Sequence, residues 1–217
     1  MLFDFPLEEM IQQQLVSRGI DDQRVIEAFR AYDRSTFVPP YLMNRAYEDE
    51  RLPIGVGQTI SPPYITARMI QELKLPKAAS VLEVGTGAGY ISALLSHTAE
   101  KVYTLEILPE LSARARKVLV DDLGIQNVTF RPADGFQGWS DEAPYDAIIV
   151  NTAVKEEVPW PLEGQLRVGK RLVIPIGERE QRITVWQRTS MTGDLELVHE
   201  EPISMPFAMM EGEALEE

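Results

Sequence analysis

A glycine-rich turn between a predicted strand and a predicted helix constrains this 217-residue chain more than any other feature. The apolar residues of Ser80–Val84 run directly into Gly85, Gly87 and Gly89, and a helical pattern begins at Tyr90. Glycine lets the backbone turn tightly and approach a ligand closely, and a helix that starts at such a turn directs N–H groups towards it. The sequence therefore predicts a turn that binds a nucleotide or a nucleoside.

An acidic residue follows this turn at the distance expected for a ribose contact. Glu106 ends the next apolar run, about 20 positions after Gly85, where a carboxylate would face a ribose diol. A plain tight turn between a strand and a helix is the structural alternative. Two ligands stay open at this point, a dinucleotide and a nucleoside such as S-adenosylmethionine, because the spacing alone does not choose between them.

Two further acids favour S-adenosylmethionine. Asp134, followed by Gly135, ends the third predicted strand, where a carboxylate could accept a hydrogen bond from an adenine amino group. Asp146 leads into the fourth strand. Methyltransferases that bind S-adenosylmethionine keep acids at these places, whereas dehydrogenases keep less fixed chemistry there. The structural alternatives are an Asp-Gly turn at Asp134 and a helix or loop cap at Asp146.

The composition argues against several classes of partner and of chemical site. The chain has 21 Lys and Arg against 34 Asp and Glu, a net charge of −13, which argues against nucleic acid or an anionic membrane as a partner. Without cysteine it forms no disulfide, thiol nucleophile or thiolate metal site. His97 and His199 are expected to be surface or packing residues. With no ligand-spaced cluster of His and acids, we expect no metal.

Alternating strand and helix patterns predict the fold class. They indicate an α/β, Rossmann-like methyltransferase sheet that is mostly parallel, with helices on both faces, an N-terminal helical appendage and antiparallel C-terminal strands. Between residues 37 and 63, frequent prolines and glycines predict an ordered loop. The predicted helices cover residues 7–15, 22–32, 64–73, 90–96 and 109–123, and the predicted strands cover 80–84, 102–106, 128–132, 147–150, 171–176, 182–188 and 195–202.

We expect one domain over residues 1–217. Residues 1–75 would form the N-terminal helices and the active-site loop, residues 76–175 the nucleoside-binding core, and residues 176–217 the C-terminal strands, joined by turns such as 192–194, and an acidic tail. No apolar run reaches about 18 residues, and the N-terminus lacks the pattern of a secretion signal. We therefore expect a cytoplasmic protein without membrane contact. We also expect a monomer.

Several segments, in chain order, resemble the protein-L-isoaspartate O-methyltransferases. The likeness extends from about Met10 to Glu211, and the Gly-Gln-Thr-Ile-Ser loop at residues 57–61 is its most specific part. The segments that carry it are LPIGVGQTIS at 52–61, VLEVGTGAGY at 81–90, Asp134-Gly135 with Gly138-Trp139, APYDAIIV at 143–150 and RLVIPIG at 171–177.

The resemblance implies a repair enzyme. Such an enzyme transfers a methyl group from S-adenosylmethionine to the free carboxylate of an L-isoaspartyl residue in a damaged protein or peptide. Ser61 would be the active-site serine, beside the methyl group and the acceptor carboxylate. The residues implied for the donor are Thr59, Ile60 and Tyr64 along its length, Gly85 and Gly87 at its amino acid end, Glu106 at its ribose, Asp134 and Gly135 at its adenine, and also Glu83, Thr86 and Ile107.

Some positions depart from the family pattern. Pro62 and Asn151 replace other residues, and residues 205–210 (MPFAMM) lack the arginine usual in the segment that walls the peptide site. If residues 207–210 still lie beside the peptide, their backbone N–H groups can hold the acceptor carboxylate whatever the side chains are. A structural alternative for Ser61 is a cap of the following helix.

Three alternative functions follow from these departures and from the glycine turn. They are a relative that methylates a different carboxylate or a small molecule, a module that binds the nucleoside without turnover, and a nicotinamide-dependent oxidoreductase.

Overall fold

The N-terminal quarter of the chain is helical, as predicted. In the computed structural model, residues 4–192 and 194–212 are described; residue 193 of the turn at 192–194 and residues 213–217 of the acidic tail lie outside them. Helix α1 (Asp4–Met10) continues through a π-helical segment (Ile11–Leu15) and a 3-10 turn (Val16–Arg18). Helix α2 (Gln23–Ala31) starts at Asp22, whose side chain accepts a hydrogen bond from the Arg24 nitrogen.

The predicted ordered loop contains a short hairpin that the sequence did not reveal. Two 3-10 turns (Arg34–Phe37 and Pro40–Arg45) precede strands β1 (Leu52–Gly55) and β2 (Gln58–Ile60), which pair antiparallel. Positive φ angles at Val56 and Gly57 form the hairpin's turn. Helix α3 (Pro63–Glu72) follows at once.

A seven-stranded sheet forms the centre of the molecule. Its order is β5-β4-β3-β6-β7-β8-β9; the first five strands are parallel, β8 pairs antiparallel with β7, and β9 pairs antiparallel with β8. This confirms the predicted mixed sheet. The elements are β3 (Ser80–Val84), α4 (Tyr90–Thr98), β4 (Lys101–Glu106), α5 (Pro109–Arg116) with a π-helical extension (Lys117–Asp122), β5 (Val128–Pro132), β6 (Tyr145–Val150), α6 (Trp160–Gln165), β7 (Leu166–Ile176), β8 (Arg182–Arg188) and β9 (Leu195–Pro202).

Chain topology opens a cleft at one edge of the sheet. The chain passes from β3 to β4 on one side, whereas β6 pairs with β3 on the other side, so the strand ends at Val84, Glu106 and Val150 border one crevice. Asp146 lies at the start of β6, at the opposite edge, where its carboxylate accepts from the Ser80 nitrogen and pairs with Arg167. Asp146 therefore has a structural role, because it connects the start of β6 to the neighbouring strands β3 and β7.

Candidate active site

The glycine turn after β3 is built so that only glycine fits. Gly85, Gly87 and Gly89 have φ angles of +89°, +55° and +86°. A Cβ atom at Gly89 would lie 2.4 Å from Leu119 Cδ1 on the extension of α5. Gly135 does not have a positive φ angle, but its Cβ atom would lie 2.2 Å from Val84 Cγ1. The two glycine sites thus let the turns after β3 and β5 pack closely around the cleft.

The N–H groups of this turn are largely used within the protein, which bears on the choice between a dinucleotide and a nucleoside. The nitrogens of Gly85 and Thr86 donate to the Leu105 oxygen at 2.8 and 3.2 Å, and Gly89 donates to the Thr86 oxygen at 2.8 Å. The Gly87 nitrogen donates to Glu106 Oε2. A pyrophosphate requires free N–H groups and would meet a carboxylate here, so the geometry favours a nucleoside without phosphates over a dinucleotide.

Glu106 is held in one orientation at the end of β4. Besides the bond from Gly87 to its Oε2, its Oε1 accepts from the Leu108 nitrogen at 3.0 Å. The residue is only 6% exposed, and it lines the pocket. Each carboxylate oxygen can accept a further hydrogen bond. The carboxylate is thereby prepared to receive hydroxyl donors from a ligand.

The pocket itself brings most of the predicted site residues together. It encloses about 850 Å³, including the space at its open mouth, between the strand ends, the β1–β2 hairpin with the loop that follows it, and the C-terminal segment. The predicted residues that line it are Thr59, Ile60, Ser61, Gly85, Thr86, Gly87, Glu106, Ile107 and Gly135.

Three predicted residues are not among those that line the pocket. Tyr64 lies under the Arg18 guanidinium, whose carbon is 3.4 Å from the ring centroid. Asp134 borders the site, but its side chain accepts from the Phe136 nitrogen at 2.9 Å, as expected for an Asp-Gly turn, and faces Gly212. Glu83 is completely buried behind the glycine turn.

Glu83 acts on the pocket only through its neighbours. Its carboxylate accepts hydrogen bonds from the Ser92 hydroxyl and from Asn151 Nδ2, and the same Asn151 nitrogen donates to the Gly85 oxygen at 3.0 Å. Burial raises the pKa of Glu83 to about 7. The carboxyl group therefore braces Asn151 against the first glycine of the turn.

Four buried polar atoms around the pocket have no hydrogen-bond partner in the described part of the chain. The sequence did not assign their residues to the site. Thr66 and Tyr90 have the pattern of buried helix residues, and Asn151 and Thr152 simply follow a strand. The atoms are Thr66 Oγ1, Tyr90 OH, Asn151 Oδ1 and Thr152 Oγ1. Since buried polar groups are normally paired, a ligand rich in donors and acceptors fits this pocket.

Ser61 lies in the pocket and does not cap the next helix. Helix α3 begins at Pro63 after the N-cap residue Pro62, with no side-chain cap, and the Tyr64 nitrogen donates to Asp49 Oδ1 at 3.2 Å. The capping alternative for Ser61 is therefore wrong. The main-chain oxygen of Ser61 accepts from Arg34 Nη2 at 3.0 Å.

The C-terminal segment forms one wall of the pocket, through Met209, Met210 and Glu211. The expectation that its N–H groups hold an acceptor carboxylate is wrong for two of them. The Phe207 nitrogen donates to Gln181 Oε1 at 2.6 Å, and the Met210 nitrogen donates to the Ala153 oxygen at 2.8 Å. Ala208 and Met209 are the remaining candidates.

Within residues 4–192 and 194–212 there is no group of three or more His, Cys, Asp or Glu side chains that could hold a metal ion. None of the helices in this part of the chain is both long and apolar enough to cross a membrane.

Known proteins resemble this chain over almost its full length. A protein-L-isoaspartate O-methyltransferase of Picosynechococcus is 46% identical over 205 residues, which cover 94% of this chain and 90% of that protein. A solved structure named protein-L-isoaspartate O-methyltransferase gives a TM-score of 0.81 at 28% identity, covering 95% of this chain and 66% of that one. A solved Plasmodium falciparum structure, a putative enzyme of this name in complex with S-adenosyl-L-homocysteine, gives 0.73 at 23% identity, covering 95% and 96%.

The family model described as protein-L-isoaspartate(D-aspartate) O-methyltransferase matches residues 7–205. That range includes the glycine turn, Glu106, Ser61 and the antiparallel end of the sheet. The chain belongs to the protein-L-isoaspartate(D-aspartate) O-methyltransferase family.

Proposed function

We propose that this protein transfers a methyl group from S-adenosylmethionine to the free carboxylate of L-isoaspartyl residues in damaged proteins or peptides. The observation that carries the proposal is that Ser61 shares one pocket with Glu106 and the glycine turn. Family membership supports the same activity. The fold neighbour solved with S-adenosyl-L-homocysteine supports the identity of the donor.

The donor would lie along the strand ends. Glu106 would accept hydrogen bonds from the ribose hydroxyls, and Gly85 with Gly87 would pass close to the amino acid end, with Glu83 acting indirectly through Asn151. Tyr64 and Asp134 stay predicted donor contacts. The other residues proposed to line the donor are Thr59, Ile60, Thr86, Ile107 and Gly135.

The reaction requires little acid–base assistance from the protein. The bound donor supplies a methyl group on a sulfonium, and an acceptor carboxylate with a pKa near 4 is already ionised at neutral pH. The protein's task is to hold the attacking oxygen in line with the methyl group and to exclude water. We assign the first task to Ser61, and the second to the hairpin and to the wall that contains Met209 and Met210.

We also propose a cytoplasmic, monomeric protein that folds as one domain over residues 1–217 and does not bind nucleic acid. The net charge of −13 supports the last point, because nucleic acid binding depends on clustered basic residues.

A second candidate is a methyltransferase with the same donor and a different carboxylate as acceptor. The methionine-rich wall favours it, because methionine side chains adapt to varied partners. Transfer of labelled methyl groups to paired isoaspartyl and aspartyl peptides tests the first proposal against the second. Incorporation that depends on the isoaspartyl linkage supports repair.

A further inference from the structure

Arg34 is a fully buried arginine that ties three loop positions together. It is 0% exposed, and its guanidinium donates to the main-chain oxygens of Ala46 at 2.5 Å, Glu50 at 3.0 Å and Ser61 at 3.0 Å. A planar guanidinium can donate these three hydrogen bonds in different directions at once, whereas a lysine ammonium cannot reproduce this arrangement. The position of the Ser61 main chain is thus tied to this one side chain.

The positive charge of Arg34 has no ionic partner in the described part of the chain. Tyr90, Asp49 and Glu48 favour its charge through space. Neither carboxylate forms an ion pair with Arg34, since Asp49 pairs with Arg18 at 2.5 Å and Glu48 pairs with Arg45 at 2.7 Å. Burial lowers the pKa of Arg34 to about 10, so the side chain is still charged at neutral pH. A buried cation without a directly paired carboxylate is costly, which makes a nearby anionic ligand favourable.

A carboxylate acceptor in the pocket beside Arg34 would be stabilised by a nearby positive charge. Glu106 and Glu211 line the pocket, and the whole chain carries a net charge of −13, so an incoming carboxylate meets a negative field. Arg34 does not line the pocket itself. Its charge lies directly behind the main chain of Ser61, which does line it.

We propose that Arg34 is a positioning residue for methyl transfer: it fixes the main chain at Ser61 and makes the electrostatic potential there favourable for a carboxylate acceptor. This inference rests on the function proposed above. It assigns to Arg34 an effect on the acceptor and none on the donor, because the hydrogen bonds of Arg34 end at the loops around Ser61 and do not reach the glycine turn.

The test compares Arg34→Met, which removes the charge, with Arg34→Lys, which keeps it without this arrangement of hydrogen bonds. Arg188 offers a matched control. It is 8% exposed and also donates only to main-chain oxygens, those of Gly164, Leu166, Ser190 and Met191, away from the pocket-lining residues. Arg188→Met therefore reports the effect of losing a buried arginine on folding alone.

Three quantities are measured on each protein, well below its melting temperature: the Kd for S-adenosylhomocysteine, kcat/KM for an isoaspartyl peptide, and the inhibition constant of the same peptide with its isoaspartyl carboxylate converted to a carboxamide. In Arg34→Met we expect kcat/KM to fall about tenfold or more, while the other two quantities change less than about twofold. Arg34→Lys should lose kcat and keep the preference for the carboxylate peptide over the carboxamide. Arg188→Met should change none of the three.

Equal losses of kcat/KM in Arg34→Met and Arg188→Met would overturn the inference, and so would a loss of donor affinity as large as the loss for the peptide. If Arg34→Met does not fold, the separation of kcat from carboxylate preference in Arg34→Lys carries the same test. Failure of the proposed function looks different, because the wild-type protein would then show no preference for the isoaspartyl linkage.

Discussion

Glu106 Oε2 lies 2.8 Å from the main-chain nitrogen of Gly87, so the carboxylate at the end of β4 is fixed across the glycine turn. Glu106→Ala should remove charge-assisted hydrogen bonds to the ribose and weaken binding of S-adenosylhomocysteine by about 1.5 to 3 kcal/mol. Calorimetric titration measures this, with the exposed Glu110→Ala as a control that leaves binding unchanged. Stabilisation of the protein by a nicotinamide dinucleotide, and not by the methyl donor, would contradict the assignment.

Ser61→Ala should retain donor binding and lose most of its turnover. The hydroxyl is proposed to orient the acceptor, and because α3 has no side-chain cap from Ser61, the melting temperature should stay close to that of the wild type. Binding, melting temperature and initial rate are measured on one preparation. A variant with an unchanged rate would show that the hydroxyl does not act in the reaction.

Glu83 should make stability depend on pH. Burial raises the pKa of Glu83 from its ordinary value of 4.5 to about 7 in the folded state, so the folded protein binds this proton more tightly than the unfolded chain. The stabilisation is therefore complete below about pH 4.5 and is lost as pH rises towards 7, by on the order of 3 kcal/mol. Glu83→Gln should flatten this part of the curve.

The measurement for Glu83 is the free energy of unfolding by urea across this pH range, with the Glu83→Gln curve subtracted from the wild-type curve. The subtraction removes the contribution of the other titrating groups. A difference that does not vary with pH would mean that Glu83 is ionised in the folded protein throughout the range.

Gln181 should control acceptor binding through the C-terminal wall. It is 2% exposed; its Oε1 accepts from the Phe207 nitrogen at 2.6 Å, and its Nε2 donates to the Phe207 oxygen at 3.0 Å. Gln181→Met keeps the side-chain volume and removes both bonds. We expect the KM for an isoaspartyl peptide to rise several-fold while the donor Kd stays nearly constant. An equal rise in both constants would instead place the effect of Gln181 on the whole pocket.

The parallel strands and the glycine turn could be predicted because their signals are local. β3 and β6 are short apolar runs, which is the pattern of strands buried on both faces, and the glycines of the turn are required by their own backbone angles. The start of β7 was missed because Arg167, Gly169 and Lys170 interrupt the apolar pattern in its first half.

The rest of the site depends on contacts between distant segments. The β1–β2 hairpin is glycine-rich, and Arg114 of α5 holds it through the Ile54 oxygen, a contact that local sequence does not reveal. Thr66 and Tyr90 carry the pattern of buried helix residues, and only the fold turns their hydroxyls into unpaired groups at the pocket. Glu83 belongs to the same motif as the glycines but is buried behind them.

Methyl transfer to two peptides that differ only in one isoaspartyl or aspartyl linkage tests the account most directly. With labelled S-adenosylmethionine and the wild-type protein, we predict incorporation into the isoaspartyl peptide and almost none into its partner. Ser61→Ala, which we expect to bind the donor and to lose most of its turnover, is measured in parallel. Equal incorporation into both peptides, or none into either with donor binding intact, would contradict the proposal that this family member repairs isoaspartyl damage.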